Sequence, residues 1–154
     1  MGIGSALVND ARKNFYALLK RFFSANDGSL RKRIESGYLA IQEHEATLTK
    51  RFLEGATQIQ GLRIYGHKDP DSTLLGKRTA TFALRMDRFK TAGELAEALV
   101  DKCIITAAGN FYAKYFSENL GLEATGGYVR IGFVHYNSIE EIDRVLTALF
   151  EIAQ

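Results

Sequence analysis

In the stretch VRIGFVHYNS, residues 129–138, a single arginine stands among apolar and aromatic side chains. Strand alternation puts Val129, Ile131, Phe133 and His135 on one face, and Arg130, Gly132, Val134 and Tyr136 on the other. A guanidinium is seldom buried without an anion. Arg130 therefore either snorkels to solvent at a sheet edge or receives a carboxylate or phosphate brought by a ligand. A second stretch of chemical interest is AAGNFYAKYF, residues 107–116. There Gly109 permits a tight backbone and Asn110 can cap the following helix, so that backbone amides and Tyr112 face a cleft. A plain strand-to-helix connection fits the same residues equally well.

Other constellations fail on spacing. Gly76, Lys77 and Arg78 do not close a phosphate loop, because the glycine that should stand five positions earlier is Asp71. His44, His67 and His135 are scattered, and neither a GxSxG elbow nor an HExxH pair occurs. Glu43 and Glu45 flank His44 on a helix, where such neighbours point apart. Cys103 is the one cysteine, which excludes a disulfide framework and a cysteine-rich zinc site and fits a reducing, cytoplasmic setting.

The elements that must position these residues can be read from periodicity. Leu7, Ala11, Phe15, Leu18, Leu19 and Phe22 recur at helical spacing over residues 5–24, with Arg12, Lys13, Lys20 and Arg21 elsewhere on the cylinder. A break at residues 26–29 then offers a cap to a second long helix, whose expected stripe is Ile34, Tyr38, Ile41, Glu45, Leu48 and Phe52. Beyond Gly61 the period shortens to strands at 62–65, 79–84 and 103–106, with Pro70 in the first intervening loop. Thr91 with Glu94, and Ser138 with Glu141, form capping boxes for two further helices. A short helix after Tyr112 stops at Gly121, and Gly126 and Gly127 lead into the Arg130 strand.

Some connections are too short for parallel crossovers. The expected fold is an α/β two-layer sandwich of the α+β kind: a small mixed or antiparallel sheet covered by helices, with long helices at the N-terminal end. Of 154 residues, 25% are charged and 46% apolar, enough for a single domain with a core. A formal charge of +2 gives no basic surface that would argue for nucleic acid. No apolar run approaches the roughly 20 residues that span a bilayer, and no signal-peptide core is evident, so no membrane is expected. MGIGSA starts like a myristoylation signal, but Ala6 stands where Ser or Thr is needed.

ATGGYVRIGFVHYNSIEEIDRVLTAL, with GLRIYG and AAGNFYA upstream, resembles the C-terminal small domain of the cysteine desulfurase-like class V aminotransferases, which are fold-type I pyridoxal phosphate enzymes. The resemblance covers roughly residues 30–154 and keeps the order of the segments. It implies that Arg130 pairs bidentately with the α-carboxylate of an amino-acid substrate. It also implies that the GlyAsnPheTyr turn occupies the place of the sulfur-accepting cysteine loop, with Tyr112 where the cysteine would be. Tyrosine cannot form a persulfide as a thiolate does, and Cys103 falls several residues too early. Nothing in the chain resembles the large-domain segments that carry the Schiff-base lysine, the aspartate on the pyridinium nitrogen and the stacking histidine.

The expected organisation is therefore an N-terminal amphipathic helix and linker, 1–28, followed by a small domain, 29–154. As the isolated or truncated small domain of such an enzyme, the chain would bind no pyridoxal phosphate by itself and would be inactive alone. Arg130 would hold the substrate carboxylate, and Asn110 and Tyr112 would line the entrance. The implied partners are a missing cofactor-binding large domain, completion in trans by a separately encoded large domain being a further reading, or a partner subunit, and Phe15, Leu19, Phe22 and Phe23 would otherwise drive homo-oligomerisation. A different reading is a non-catalytic module that binds an acidic partner or nucleic acid through its basic N-terminal helix or Arg31, Lys32 and Arg33.

Overall fold

A computed structural model describes residues 28–154, together with Lys13, Tyr16, Ala17 and Lys20, which are helical and exposed. The rest of the leading amphipathic helix expected over residues 5–24 lies outside the described residues. In chain order the elements are α1 (Leu30–Ala56), β1 (Leu62–Tyr65), β2 (Thr81–Met86), α2 (Ala92–Asp101), β3 (Ala107–Gly109), α3 (Lys114–Asn119), β4 (Tyr128–Gly132) and α4 (Ile139–Ala153). The strands form one antiparallel sheet in the order β1-β2-β4-β3.

Alternation divides the sheet into two unlike faces. Phe82, Leu84 and Met86 of β2 and Val129 and Ile131 of β4 are buried under α1, α2 and α4. The rings of Phe52, Phe82 and Phe133 meet there, with Phe52 and Phe82 centroids 4.3 Å apart. Side chains of this size each contribute about 1.5–3 kcal/mol when fully buried, so this layer supplies most of the cohesion. The opposite face carries Arg63, Tyr65, Ala83, Arg85, Tyr128 and Arg130; α1, α2 and α4 do not cover it, and part of it, at Arg85 and Tyr128, is buried under the connection that holds Phe111 and Thr125.

Both capping boxes form: Thr91 Oγ1 accepts from Glu94 N, Ser138 Oγ accepts from Glu141 N, and the glutamates reach back to the cap amides. Ser29 caps α1 by accepting from Lys32 N. Rim pairs tie helices together, with Arg51 Nη2 2.6 Å from Asp143 Oδ1 and Lys102 Nζ 2.7 Å from Glu151 Oε2. Exposed pairs of this kind add little stability, though they fix the orientation of α4.

Three expectations are corrected. The strand expected over 103–106 lies instead at Ala107–Gly109, because α2 ends in a Schellman turn with Cys103 left-handed at φ 58. Cys103 N donates to Val100 O at 2.8 Å and Ile104 N to Leu99 O at 2.9 Å, so the chain cannot extend until it has left that turn. The α1 stripe is buried only from its middle onward: Leu48, Phe52, Leu53 and Ala56 are covered, whereas Ile34 is 51% and Tyr38 70% exposed. Finally, the Arg130 strand ends at Gly132 rather than running on to the helix. Asn137 closes a turn by accepting from Val134 N at 2.8 Å and donating from Nδ2 to Glu141 Oε2 at 3.0 Å. This makes the HYNS segment a structural knot, held also by His44 Nε2, 2.9 Å from Asn137 O.

Candidate functional site

Arg130 sits in the middle of β4, on the uncovered face, opposite Ala83 on one neighbouring strand and Ala107 on the other. Two methyl groups beside it leave room for the long side chain, which is exposed. Its guanidinium carbon lies 4.1 Å from the centroid of the Phe111 ring. Phe111 in turn leans on Tyr128, at 5.3 Å between centroids. A guanidinium stacked on a ring still presents its in-plane N–H groups to an anion.

The three arginines of this face differ in what they meet. Arg63 has its carboxylate, Asp87, at 2.6 Å, and that hydrogen bond raises its pKa above the ordinary arginine value. Arg85 is buried and donates to Thr125 O, Thr125 Oγ1, Gly127 O and Lys90 O at 2.8–3.1 Å. Arg130 alone has only an aromatic ring, and among the described residues no carboxylate is paired with it.

Phe111 reaches this position through a strained turn. Phe111 and Tyr112 both adopt left-handed backbone, at φ 52 and 64, and Ala113 N donates to Asn110 O at 2.8 Å, as in a type I′ turn. Such positions ordinarily take Gly or Asn, and two bulky residues there cost on the order of 1–3 kcal/mol each. Asn110 holds the turn: its Oδ1 accepts from Tyr112 N at 3.1 Å and its Nδ2 donates to Glu123 Oε1 at 3.0 Å. The helix cap expected of Asn110 is thus a cap on the turn, since α3 starts from Ala113 without a side-chain cap. Tyr112 stands fully exposed at the tip.

Arg130 also lines a cleft of about 280 Å³. It opens where β3 stops: residues 103–106 peel away from β4 and leave Gly132 without a strand on that side. Thr106, Glu141 and Arg144 form the other polar walls, and Asn110 and Tyr112 are not among the lining residues. The structure stacks Arg130 on Phe111, and Arg130, Thr106 and Arg144 each line part of the cleft; Phe111, Thr106 and Arg144 are not among the residues that the sequence marks as candidates. Arg85 was missed as well, although it follows Leu84 and precedes Met86 much as Arg130 sits between Val129 and Ile131. The basic run Arg31, Lys32 and Arg33 is exposed at the start of α1, with Arg31 Nε 2.9 Å from Glu35. No described helix is long and apolar enough to cross a membrane, and the described residues hold no cluster of metal-ligating side chains.

A family model described as Aminotransferase class-V matches residues 30–145. The chain is 30% identical over 114 residues to the aminotransferase-like protein FGM3 of Gibberella zeae, a match covering 71% of this chain and 27% of that protein. It is 26% identical over 113 residues to the probable cysteine desulfurase 2 of Mycobacterium leprae, covering 73% and 25%. Among solved structures, the apo cysteine desulfurase of Thermococcus onnurineus NA1 superposes with a TM-score of 0.66 at 26% identity, over 80% of this chain and 28% of that one. The Escherichia coli cysteine desulfurase CsdA shares the fold at 16% identity and a TM-score of 0.56, over 81% and 32%. The chain spans about a quarter of the length of the curated relatives.

Proposed function

The chain belongs to the class V aminotransferase family, whose members depend on pyridoxal phosphate, and we propose that it supplies the substrate-carboxylate anchor of such an enzyme, with the cofactor held elsewhere. The observation that carries this reading is Arg130: a strand arginine on an uncovered sheet face, set between two alanines and backed by a ring, with an anion as the missing partner.

The residues around Arg130 do not fit the cofactor. Pyridoxal phosphate supplies an electron sink and needs a lysine amine to hold it. No lysine lines the Arg130 cleft. Lys50, Lys102 and Lys114 lie at the surface against Asp71, Glu151 and Glu118. The chain's contribution is to bind and orient an amino-acid carboxylate. Tyr112, exposed at the tip of its strained turn, would face the entrance, and Asn110 would fix that turn rather than touch substrate.

A complementary large domain, in the same polypeptide or in trans, would rest on the uncovered sheet face and on the stripe Leu30, Ile34 and Tyr38 of α1, which are 72%, 51% and 70% exposed. A second copy of the chain is the alternative cover for that stripe.

The test is a titration of the chain with acetate, following the backbone amide resonances of residues 129–132 and of the Phe111 turn, which are present in wild type and variant alike. A saturable shift that disappears in Arg130→Gln supports the anchor. Resonances indifferent to acetate, or an unchanged response in the variant, sink it.

A further inference from the structure

The buried and the exposed arginine of one sheet face are linked through a single carboxylate. Arg85 donates from β2 to Thr125 O and Gly127 O, at 3.1 and 2.9 Å, which fastens the connection 122–127 to the sheet. Gly127 N donates to Leu122 O at 2.9 Å, so this connection is closed on itself. Glu123 stands on it, and its Oε1 accepts from Asn110 Nδ2 at 3.0 Å. Asn110 Oδ1 in turn accepts from Tyr112 N at 3.1 Å and holds the left-handed pair Phe111 and Tyr112, at φ 52 and 64. The last contact is the Phe111 ring, 4.1 Å from the Arg130 guanidinium carbon.

Adjacent non-glycine residues in left-handed backbone persist only where the surroundings over-determine them. The bond from Tyr112 N to Asn110 is neutral and local, and it would form in such a turn wherever the turn lay. The bond from Asn110 to Glu123 is charge-assisted, roughly twice as strong as a neutral one, and ties the turn to a connection that Arg85 fixes to the sheet. Glu123 Oε2 is buried with no hydrogen-bond partner among the described residues. A carboxylate satisfied at one oxygen only stabilises its own loop poorly, so its place calls for another reason. We infer that Glu123 is a positioning residue for the anion anchor: by fixing Asn110 it sets the Phe111 ring against Arg130, and so orders the guanidinium before an anion arrives. This rests on the reading of Arg130 as the carboxylate anchor.

The chain is titrated with acetate as wild type, Glu123→Leu, Glu123→Gln and Asn110→Ser, each also in a Phe111→Leu background, with amide dispersion reporting that every variant is folded. Glu123→Leu should weaken acetate about two- to fivefold, the worth of an exposed cation–π contact. It does so although it removes a negative charge, a change that by Coulomb's law alone favours the anion. Glu123→Gln keeps an acceptor for Asn110 and should recover most of the affinity. Asn110→Ser keeps a hydroxyl for Tyr112 N, severs the bond to Glu123 without changing charge, and should match Glu123→Leu; it carries the test where Glu123→Leu does not fold. In the Phe111→Leu background none of the three should cost anything further, since the ring through which they act is gone. Unchanged or tighter binding in Glu123→Leu and Asn110→Ser overturns the positioning role and leaves the anchor standing. A loss of equal size with and without the ring overturns it as well, and so does a Glu123→Gln variant as weak as Glu123→Leu. If wild type shows no acetate-dependent shift at residues 129–132, the anchor itself fails and the role of Glu123 falls with it.

Discussion

Arg130 and Phe111 form a stacked pair, 4.1 Å from guanidinium carbon to ring centroid, and the aromatic partner is held in left-handed backbone at φ 52. The strain of one residue thus fixes the orientation of the other. Without the ring, a long side chain on an open sheet face would sample many rotamers, and an incoming anion would have to order it. With the ring beneath it, the guanidinium plane is set before a ligand arrives. Phe111 precedes Arg130 by 19 residues in the chain, yet the fold lays its ring against the guanidinium.

Replacing the ring should therefore weaken anion binding more than it changes stability. Phe111→Leu is expected to lower acetate affinity severalfold, in line with a cation–π contact of about 0.5–1 kcal/mol at an exposed site. Phe111→Tyr keeps the ring and should bind as wild type. An NMR or calorimetric titration of both variants decides it, and equal affinity in Phe111→Leu would remove the ring from the account.

Cys103 occupies the left-handed position after α2 that glycine usually takes. Cys103→Gly relieves the Cβ penalty of about 1–2 kcal/mol and returns part of it as unfolded-chain entropy, so a net gain on the order of 0.5–1 kcal/mol is expected. Thermal unfolding should rise by a few degrees at most. Cys103→Val, β-branched at the same φ, should unfold earlier than wild type.

Arg130 was legible in the sequence because a cation in an apolar strand needs a reason, and both capping boxes because their residue types and spacing are local. What the sequence withheld depends on tertiary context. Residues 103–106 have strand composition, yet the left-handed turn at Cys103 uses them to leave the helix. Ile34 and Tyr38 lie at helical spacing with Leu48 and Phe52, but period reveals which residues share a face, and only the neighbours decide whether it is covered. Thr106 and Arg144 line one cleft although their segments are far apart in the chain. Arg85 escapes the composition pattern because the expected strand ends at Leu84, one residue short of it.

Gly127 lets the β3–α3 turn close on β4. Its φ is 75, and a Cβ there would overlap the Gly109 carbonyl and approach Asn110 N to 2.9 Å. Both neighbours are backbone and cannot rotate away, so Gly127→Ala should destabilise by about 2–4 kcal/mol. Gly132→Ala is the matched control: its Cβ would meet only Thr81 Oγ1, at 3.6 Å, and its unfolding midpoint should stay near that of wild type. Denaturant titration of the two separates a tight backbone approach from a general intolerance of substitution.

Arg85 and Arg130 share one sheet face and should respond in opposite ways to loss of charge. Arg85→Met strips donors from three buried or half-buried carbonyls, those of Thr125, Gly127 and Lys90, and leaves them without partners. Each orphaned acceptor costs about 1–3 kcal/mol, so this variant should be among the least stable, with its Gly126–Gly127 turn opened first in hydrogen exchange. Arg130→Gln removes a stack at an exposed site, which surface substitutions predict to be within about 0.5 kcal/mol of wild type. Its loss should appear in carboxylate binding alone. If Arg130→Gln instead unfolded the chain as Arg85→Met does, Arg130 would be one more structural arginine, and the reading of the open sheet face as a substrate surface would lose its support.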